Sequence, residues 1–140
     1  MNTTSKFLGL LAASLIAGLS HAGIQLTNLV SFAGTNGRMP LTLIQAIDGN
    51  FYGTTFVGGQ FDRGTLFKLS TNGVCTTLTS FNGQMGESVG ILLQGRDGNL
   101  YGTTAEGGLG MRGTIWKATP AGVVTNLFSF NGTKGAHLSF

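Results

Sequence analysis

The sequence predicts an all-β protein built from four-stranded antiparallel blades of the β-propeller type. Three observations predict this fold class: a repeat of 49 residues, turn signals at short intervals within each copy, and strands that are apolar on both faces. Glycine accounts for 24 of the 140 residues, whereas charged residues make up only 9%. Soluble domains usually contain roughly 25% charged residues, so this composition favours many short strands joined by tight turns.

The repeat is clearest at residues 48–55 (DGNFYGTT), which return 49 positions later as residues 97–104 (DGNLYGTT). The agreement continues downstream at the same offset, for example at Phe67 and Trp116. A period of about 50 residues is typical of one class of propeller blade. The chain therefore divides into four parts: a partial repeat at 23–32, full repeats at 33–81 and 82–130, and the start of a third repeat at 131–140.

Each full copy contains four predicted strands, which in the first copy cover residues 41–46, 51–55, 65–69 and 74–81. The Asp-Gly-Asn sequence between the first two favours positive φ angles and predicts a tight antiparallel hairpin. The partial repeat contributes a further predicted strand at residues 24–32. Together these parts predict an incomplete propeller of two blades with partial ends.

The third strand of each copy predicts how the sheets are covered. Leu66 points to one face of this strand, while Phe67 and Leu69 point to the other. A sheet that is apolar on both faces needs a neighbour on each side, and stacked blades provide this. Gly53, inside the second strand, predicts a bulge or a close approach of another chain segment. A flat β-solenoid is the alternative architecture, but the hairpin signals favour up-and-down strands.

Residues 1–22 have the pattern of a signal peptide. Lys6 supplies the positive charge, residues 7–19 are apolar or small, and small residues precede a cleavage site after Ala22. The apolar run is too short to span a membrane. We therefore expect an exported protein, periplasmic, secreted or at the cell surface, whose mature chain begins at Gly23 and has no transmembrane segment.

Most polar residues that recur in both copies have a structural interpretation. Asp48 and Asp97 are predicted to form turns, and Tyr52 and Tyr101 to pack in the core or between blades. The recurring lysines are predicted to lie along the blade with their charged ends in solvent. Cys75 occupies an apolar strand and is predicted to be a small buried residue. With one histidine, His137, outside the signal peptide and no clustered ligands, we expect no metal or cofactor. The small positive charge gives no reason to expect nucleic acid binding.

Residues 29–140 resemble the GloVer-type tandem repeat of exported bacterial proteins. The resemblance depends on residues 97–104, the Gly-Gly pair at 107–108, residues 113–122 (GTIWKATPAG) and residues 127–132 (LFSFNG). It implies an exported, anchored repeat protein with no settled biochemical activity. Because Phe140 aligns with the first strand of a repeat and no anchor follows, we expect a fragment of a longer repeat protein, or a chain that associates with itself.

The expected function is that of a non-enzymatic binding or scaffold module. Residues 56–63 and 105–112 differ most between the copies, and variable loops on a rigid frame usually carry recognition. Arg63 and Arg112, which end these loops, are the candidate ligand-binding residues, with a glycan or a cell-surface protein as the partner. One alternative is a polysaccharide lyase or hydrolase that uses non-repeating acids, and another is a structural spacer without a ligand. The non-repeating acids are Asp62 and Glu106, in the variable loops, and Glu87, in the loop between the copies.

Overall fold

The computed structural model describes residues 26–133, which form eight β-strands and no helix. The strands are β1 (Arg38–Gln45), β2 (Phe51–Val57), β3 (Thr65–Leu69), β4 (Cys75–Ser80), β5 (Glu87–Gln94), β6 (Leu100–Glu106), β7 (Thr114–Ala118) and β8 (Val124–Ser129). β1 to β4 pair in sequence order as one antiparallel sheet, sheet 1, and β5 to β8 pair likewise as sheet 2. The all-β class and the four-stranded antiparallel sheet in each copy are therefore confirmed. Within residues 26–133 no helix could cross a membrane.

The Asp-Gly-Asn sequences form the predicted hairpin turns between β1 and β2 and between β5 and β6. Gly49 has a φ of 80° and Gly98 a φ of 78°, in the left-handed region that favours glycine. The turn in sheet 1 is closed by a hydrogen bond from the Ala46 amide to the Asn50 carbonyl. These turns and the β3–β4 and β7–β8 turns lie at one end of the sheets, which we call the turn end.

Gly53 and Gly102 each allow an aromatic ring of the next strand to lie flat across the sheet. A β-carbon on Gly53 would overlap the ring of Phe67, and one on Gly102 would overlap the ring of Trp116. In both cases the two residues are directly opposite partners on neighbouring strands. The predicted close approach at Gly53 is confirmed, and it explains why neither position carries a side chain.

The two sheets stack face to face, and the core lies between them. β5 contacts both β1 and β2, so the first strand of sheet 2 packs on the first two strands of sheet 1. The ring of Phe81, in the connection between the sheets, lies 5.2 Å from that of Trp116. The buried residues of this core are Ala46, Tyr52, Leu66, Phe81, Val89, Leu92, Leu100, Trp116 and Ala118.

Each sheet therefore has two faces with different neighbours. We call the face that sheet 1 turns toward sheet 2 its front face. Sheet 2 contacts sheet 1 through the other kind of face, which we call the back face. Strand alternation places Tyr52 and Leu66 on the front face of sheet 1, and Trp116 and Leu92 on the back face of sheet 2. The positions that the repeat makes equivalent to these define the front face of sheet 2 and the back face of sheet 1.

The strand predicted over residues 24–32 is not formed in its described part. Residues 26–33 pair with no strand of the described chain. Phe32 nevertheless packs on Phe67, with ring centroids 5.0 Å apart, as Phe81 packs on Trp116. This segment therefore covers part of the back face of sheet 1. The predicted signal peptide and residues 134–140 of the third repeat lie outside the described residues.

Candidate functional site

The end of the sheets opposite the turn end contains an open cavity of about 840 Å³ between the loops. We call this end the loop end, since the β2–β3 loop, the β6–β7 loop and the connection from sheet 1 to sheet 2 all lie there. The Gly108 amide donates to the Gly83 carbonyl, which holds the β6–β7 loop against that connection. The loop-end cavity is lined by Arg63, Asn82, Gly83, Gln84, Gly108, Leu109, Met111 and Asn126.

Arg63 and Arg112, the two predicted ligand-binding residues, have different surroundings. Arg63 lines the cavity, and its guanidinium forms an ion pair with Glu87 of sheet 2. Arg112 is exposed and does not line this cavity. Among the described residues it has no ion pair. The structure therefore places Arg63 at the junction of the two sheets and Arg112 apart from it.

The three non-repeating acids fall into two places, with Asp62 in one and the pair Glu87 and Glu106 in the other. Asp62 accepts a hydrogen bond of 2.6 Å from Arg38, and this interaction lowers the pKa of its carboxyl group. Glu87 and Glu106 do not lie in loops, where they were expected, but at the ends of β5 and β6, where they are directly opposite partners. Residues opposite each other in an antiparallel pair have side chains on the same face. No sequence pattern indicated this carboxylate pair, because it depends on strand register.

The loop end also concentrates unusual backbone geometry. Among residues 26–133, four residues other than glycine have positive φ angles between 53° and 56°, namely Met39, Asp62, Ser88 and Met111. Asp62 and Met111 occupy equivalent places in the two long loops, and Met111 lines the cavity. Such conformations cost about 1–3 kcal/mol each and are frequent at functional sites. The loops at this end therefore adopt a specific, strained shape in both copies.

At the turn end, a polar network that the sequence analysis missed is built around each turn aspartate. Asp48 accepts hydrogen bonds at one carboxylate oxygen from the Asn50 side-chain amide at 2.9 Å and the Tyr52 hydroxyl at 3.0 Å. The same oxygen lies 3.4 Å from the Lys68 ammonium. These interactions, and above all the hydrogen bond from Asn50, lower the pKa of Asp48 to about 2. The carboxylate stays ionised far into the acid range.

Sheet 2 repeats this network without change. Asp97 accepts from Asn99 at 2.7 Å and from Tyr101 at 2.8 Å, and Lys117 lies 3.4 Å away. The pKa of Asp97 is lowered as well, again chiefly by the asparagine. In both sheets the lysine also lies over the tyrosine ring. The lysines are therefore bound to the sheet rather than simply solvated, which corrects the interpretation based on the sequence.

The network was visible in the sequence as four recurring residues: an aspartate followed by asparagine, tyrosine and lysine at fixed spacings. The lysine lies on β3, whereas the aspartate lies in the turn before β2, so the two are far apart in the chain. Without the strand order, nothing in the sequence shows that these residues contact one another, and each is explained by its local sequence alone. The network ties the turn to the third strand, and its chemistry is structural.

Cys75 is half-buried on β4, and burial raises the pKa of its thiol. A raised pKa lowers the thiolate fraction at neutral pH, so this thiol is a weak nucleophile. Within residues 26–133 there is no group of three or more His, Cys, Asp and Glu side chains that could hold a metal ion. The loop-end cavity, with its guanidinium and amide groups, is therefore the best candidate site in the described part of the chain.

Comparison with known proteins identifies the repeat. Residues 7–140 match the family model described as the Gloeobacter/Verrucomicrobia repeat, so the match extends over both sheets. Searches of curated proteins and of solved structures found no significant match.

Proposed function

Because the chain belongs to the Gloeobacter/Verrucomicrobia repeat family, we propose that it is an exported, non-enzymatic repeat module that binds a glycan at its loop end. The signal-peptide pattern of residues 1–22 supports export. The face-to-face stacking of two four-stranded sheets supports a propeller-type arrangement in which each sheet is one blade.

The loop-end cavity is the observation that carries the binding proposal. Its polar lining consists of the Arg63 guanidinium and the amides of Asn82, Gln84 and Asn126, groups that can donate hydrogen bonds to sugar hydroxyls. Asn82 already accepts from two backbone amides of its own loop, which fixes its orientation. Pre-organised polar groups in an open concave site suit a hydrophilic ligand.

Binding should be tested on a glycan array with the loop end altered in two independent ways. We expect Gln84→Ala with Asn126→Ala to abolish the signal, and Arg63→Ala with Arg112→Ala to do the same. Arg96→Ala is the matched control, because Arg96 is an exposed arginine at the turn end. Binding that survives both double substitutions would show that the site lies elsewhere.

Arg63→Ala also breaks the ion pair with Glu87, so its folding must be followed separately. Because the Glu87 carboxylate is largely buried, leaving it unpaired should cost about 1–3 kcal/mol, and we therefore expect a clear fall in melting temperature. The Gln84 and Asn126 variant leaves this ion pair intact. If it keeps full glycan binding while Arg63→Ala unfolds the protein, the arginine has a structural role only.

A polysaccharide-active enzyme is the second candidate, favoured by the opposed pair Glu87 and Glu106. Glycosidases use two carboxyl groups about 5–9.5 Å apart across one sugar bond. Against this, the Glu87 side chain is only 16% exposed and is already paired with Arg63. Turnover of a polysaccharide by the purified protein, lost in both Glu87→Gln and Glu106→Gln, would establish the enzyme and overturn the binding-module proposal.

A further inference from the structure

The front face of sheet 2 carries the residues that sheet 1 uses to bind sheet 2. On sheet 1, Tyr52 and Leu66 are fully buried by sheet 2. At the equivalent positions of sheet 2, Tyr101 is half-buried and Ile115 is 36% exposed. The other exposed apolar residues at equivalent positions are Ile91, Leu93 and Leu127. The same apolar surface thus occurs twice, once covered and once open among the described residues.

A buried hydroxyl on this face gives independent evidence of a partner. In sheet 1, the Thr54 hydroxyl donates a 2.9 Å hydrogen bond to the Gly90 carbonyl of sheet 2. The bulge in β5 between Val89 and Leu92 displaces this carbonyl from the β5–β6 ladder. Thr103 is the equivalent of Thr54, and its hydroxyl is buried without a hydrogen-bond partner in the described part of the chain. Buried hydroxyl groups nearly always have a partner.

The back face of sheet 1 has the complementary surface. Leu43 is 55% exposed there, whereas its equivalent Leu92 on sheet 2 is 3% exposed against sheet 1. An apolar hollow of about 250 Å³ adjoins it, lined by Val30, Phe32, Pro40, Leu41, Thr42, Leu43, Phe67 and Leu69. β1 has the same kind of bulge as β5, between Pro40 and Thr42. The Leu41 carbonyl therefore occupies the place that the Gly90 carbonyl has in sheet 2.

We propose that the front face of sheet 2 binds a second copy of this chain through the back face of its sheet 1, in the geometry that joins sheets 1 and 2. Thr103 of one copy then donates to the Leu41 carbonyl of the other. At the turn end, the Arg96 amide donates to the Gln45 side chain, as the Ile47 amide donates to Gln94 within the chain at 2.9 Å. Because the two surfaces differ, the association is head to tail and does not close at a dimer.

Two features of the chain weaken this contact. The place of the Arg63–Glu87 ion pair would be taken by Arg112 of one copy and Arg38 of the other, which have the same charge. Arg38 is held by Asp62 of its own chain, which reduces the repulsion. Phe32 also occupies the position on Phe67 of its own chain that Phe130 of the other copy would take. Residues 26–32 must therefore move aside, and they compete with the other copy.

Sedimentation velocity over a wide range of protein concentration tests the proposal on the full-length gene product purified from a bacterial host. We expect the mean mass to rise with concentration and to pass that of a dimer. Thr103→Val should weaken the association about two- to tenfold, because a hydrogen bond is lost. Thr76→Val, at an exposed β4 residue on the front face of sheet 1, a face that the proposed contact does not use, should leave it unchanged.

Two further variants should act in the opposite direction. Arg38→Glu with Asp62→Met copies onto sheet 1 the residues of sheet 2, Glu87 and Met111, and should strengthen association about two- to fivefold. Phe32→Ala removes the competing ring and should also strengthen it. A protein that stays monomeric in every variant, that stops at a closed dimer, or that ignores both Thr103→Val and the charge change would overturn the proposal.

Discussion

Sheets 1 and 2 have the same strand order and similar apolar residues at the equivalent positions of their faces, but these residues differ in exposure according to what covers them. Leu66 is 0% exposed on the front face of sheet 1, whereas Ile115 is 36% exposed on the front face of sheet 2. On the back faces the order is reversed, since Leu92 of sheet 2 is 3% exposed and Leu43 of sheet 1 is 55% exposed. The strand pairings and turn networks inside each sheet are repeated, whereas contacts between sheets are present only once in residues 26–133.

This difference separates two kinds of information in the repeat. The turn network around Asp48 and Asp97 depends on a single sheet and is complete in both copies. The Thr54 hydrogen bond and the burial of Leu66 depend on a neighbouring sheet. Substitutions at equivalent positions should therefore have equal effects inside a sheet and unequal effects on its faces.

The largest difference is expected for the apolar residues of the front face. Leu66→Ala should lower the free energy of unfolding by about 2–5 kcal/mol, because it leaves a cavity between the sheets. Ile115→Ala should cost less than about 1.5 kcal/mol, since its side chain is already partly solvated. Urea unfolding of dilute protein measures both. Equal losses would mean that the two front faces are covered equally in solution.

The turn glycines provide the matched test within the sheets. Gly98→Val should destabilise the protein by roughly 1–3 kcal/mol, because valine is strained at a φ of 78°. Gly49→Val should cost a similar amount, since its φ is 80° and no heavy atom obstructs a β-carbon there. Thermal unfolding decides the point, and a melting temperature unchanged by either substitution would show that the turn geometry is wrong.

A smaller effect distinguishes the two front-face threonines. Thr54→Val removes the hydrogen bond to Gly90 and should cost about 0.5–1.5 kcal/mol. Thr103→Val removes a hydroxyl that has no partner in the described chain and should be neutral or slightly stabilising in the monomer. If the two substitutions destabilise the dilute protein equally, Thr103 already has a partner within the monomer.

The smallest expected effect is on the pH dependence of folding stability, and both sheets should show it. Asp48 has an ordinary pKa of 3.8 when unfolded and about 2 when folded, so the folded state favours its ionised form. Its contribution to stability is complete above pH 3.8 and is lost as the pH falls toward 2. Asp48→Asn should flatten the fall in stability over this range, and Asp97→Asn should act in the same direction. A pH profile that neither substitution alters would show that these networks do not stabilise the fold.

The sequence predicted the sheets well because each strand is defined by local patterns. β3 begins and ends where it was expected, at Thr65 and Leu69. β1 begins at Arg38, whereas the prediction placed its start at Leu41. The prediction was late because the sequence Arg38–Pro40 is typical of a loop. β1 is an edge strand, and proline is tolerated at an edge. The strand predicted over residues 24–32 is not formed in its described part. A strand also requires a hydrogen-bonding partner, which a local sequence pattern does not reveal.

The candidate site was less predictable because it depends on contacts between the two sheets. Arg63 was selected as the end of a variable loop, yet its ion pair is with Glu87, which belongs to the other sheet. The repeat does not make these two positions equivalent. The opposition of Glu87 and Glu106 likewise follows from the register of β5 on β6. A repeat reveals equivalent residues, but contacting residues become visible only when the sheets are assembled.

The stacking of the two sheets can be measured directly through Trp116, the one tryptophan in the chain. Its ring is fully buried between the sheets, against Phe81. We expect the native protein to show blue-shifted fluorescence that acrylamide quenches poorly. In Leu66→Ala both properties should be lost when the two sheets separate during unfolding. A native protein with red-shifted, easily quenched emission would contradict the face-to-face packing on which this interpretation of the repeat depends.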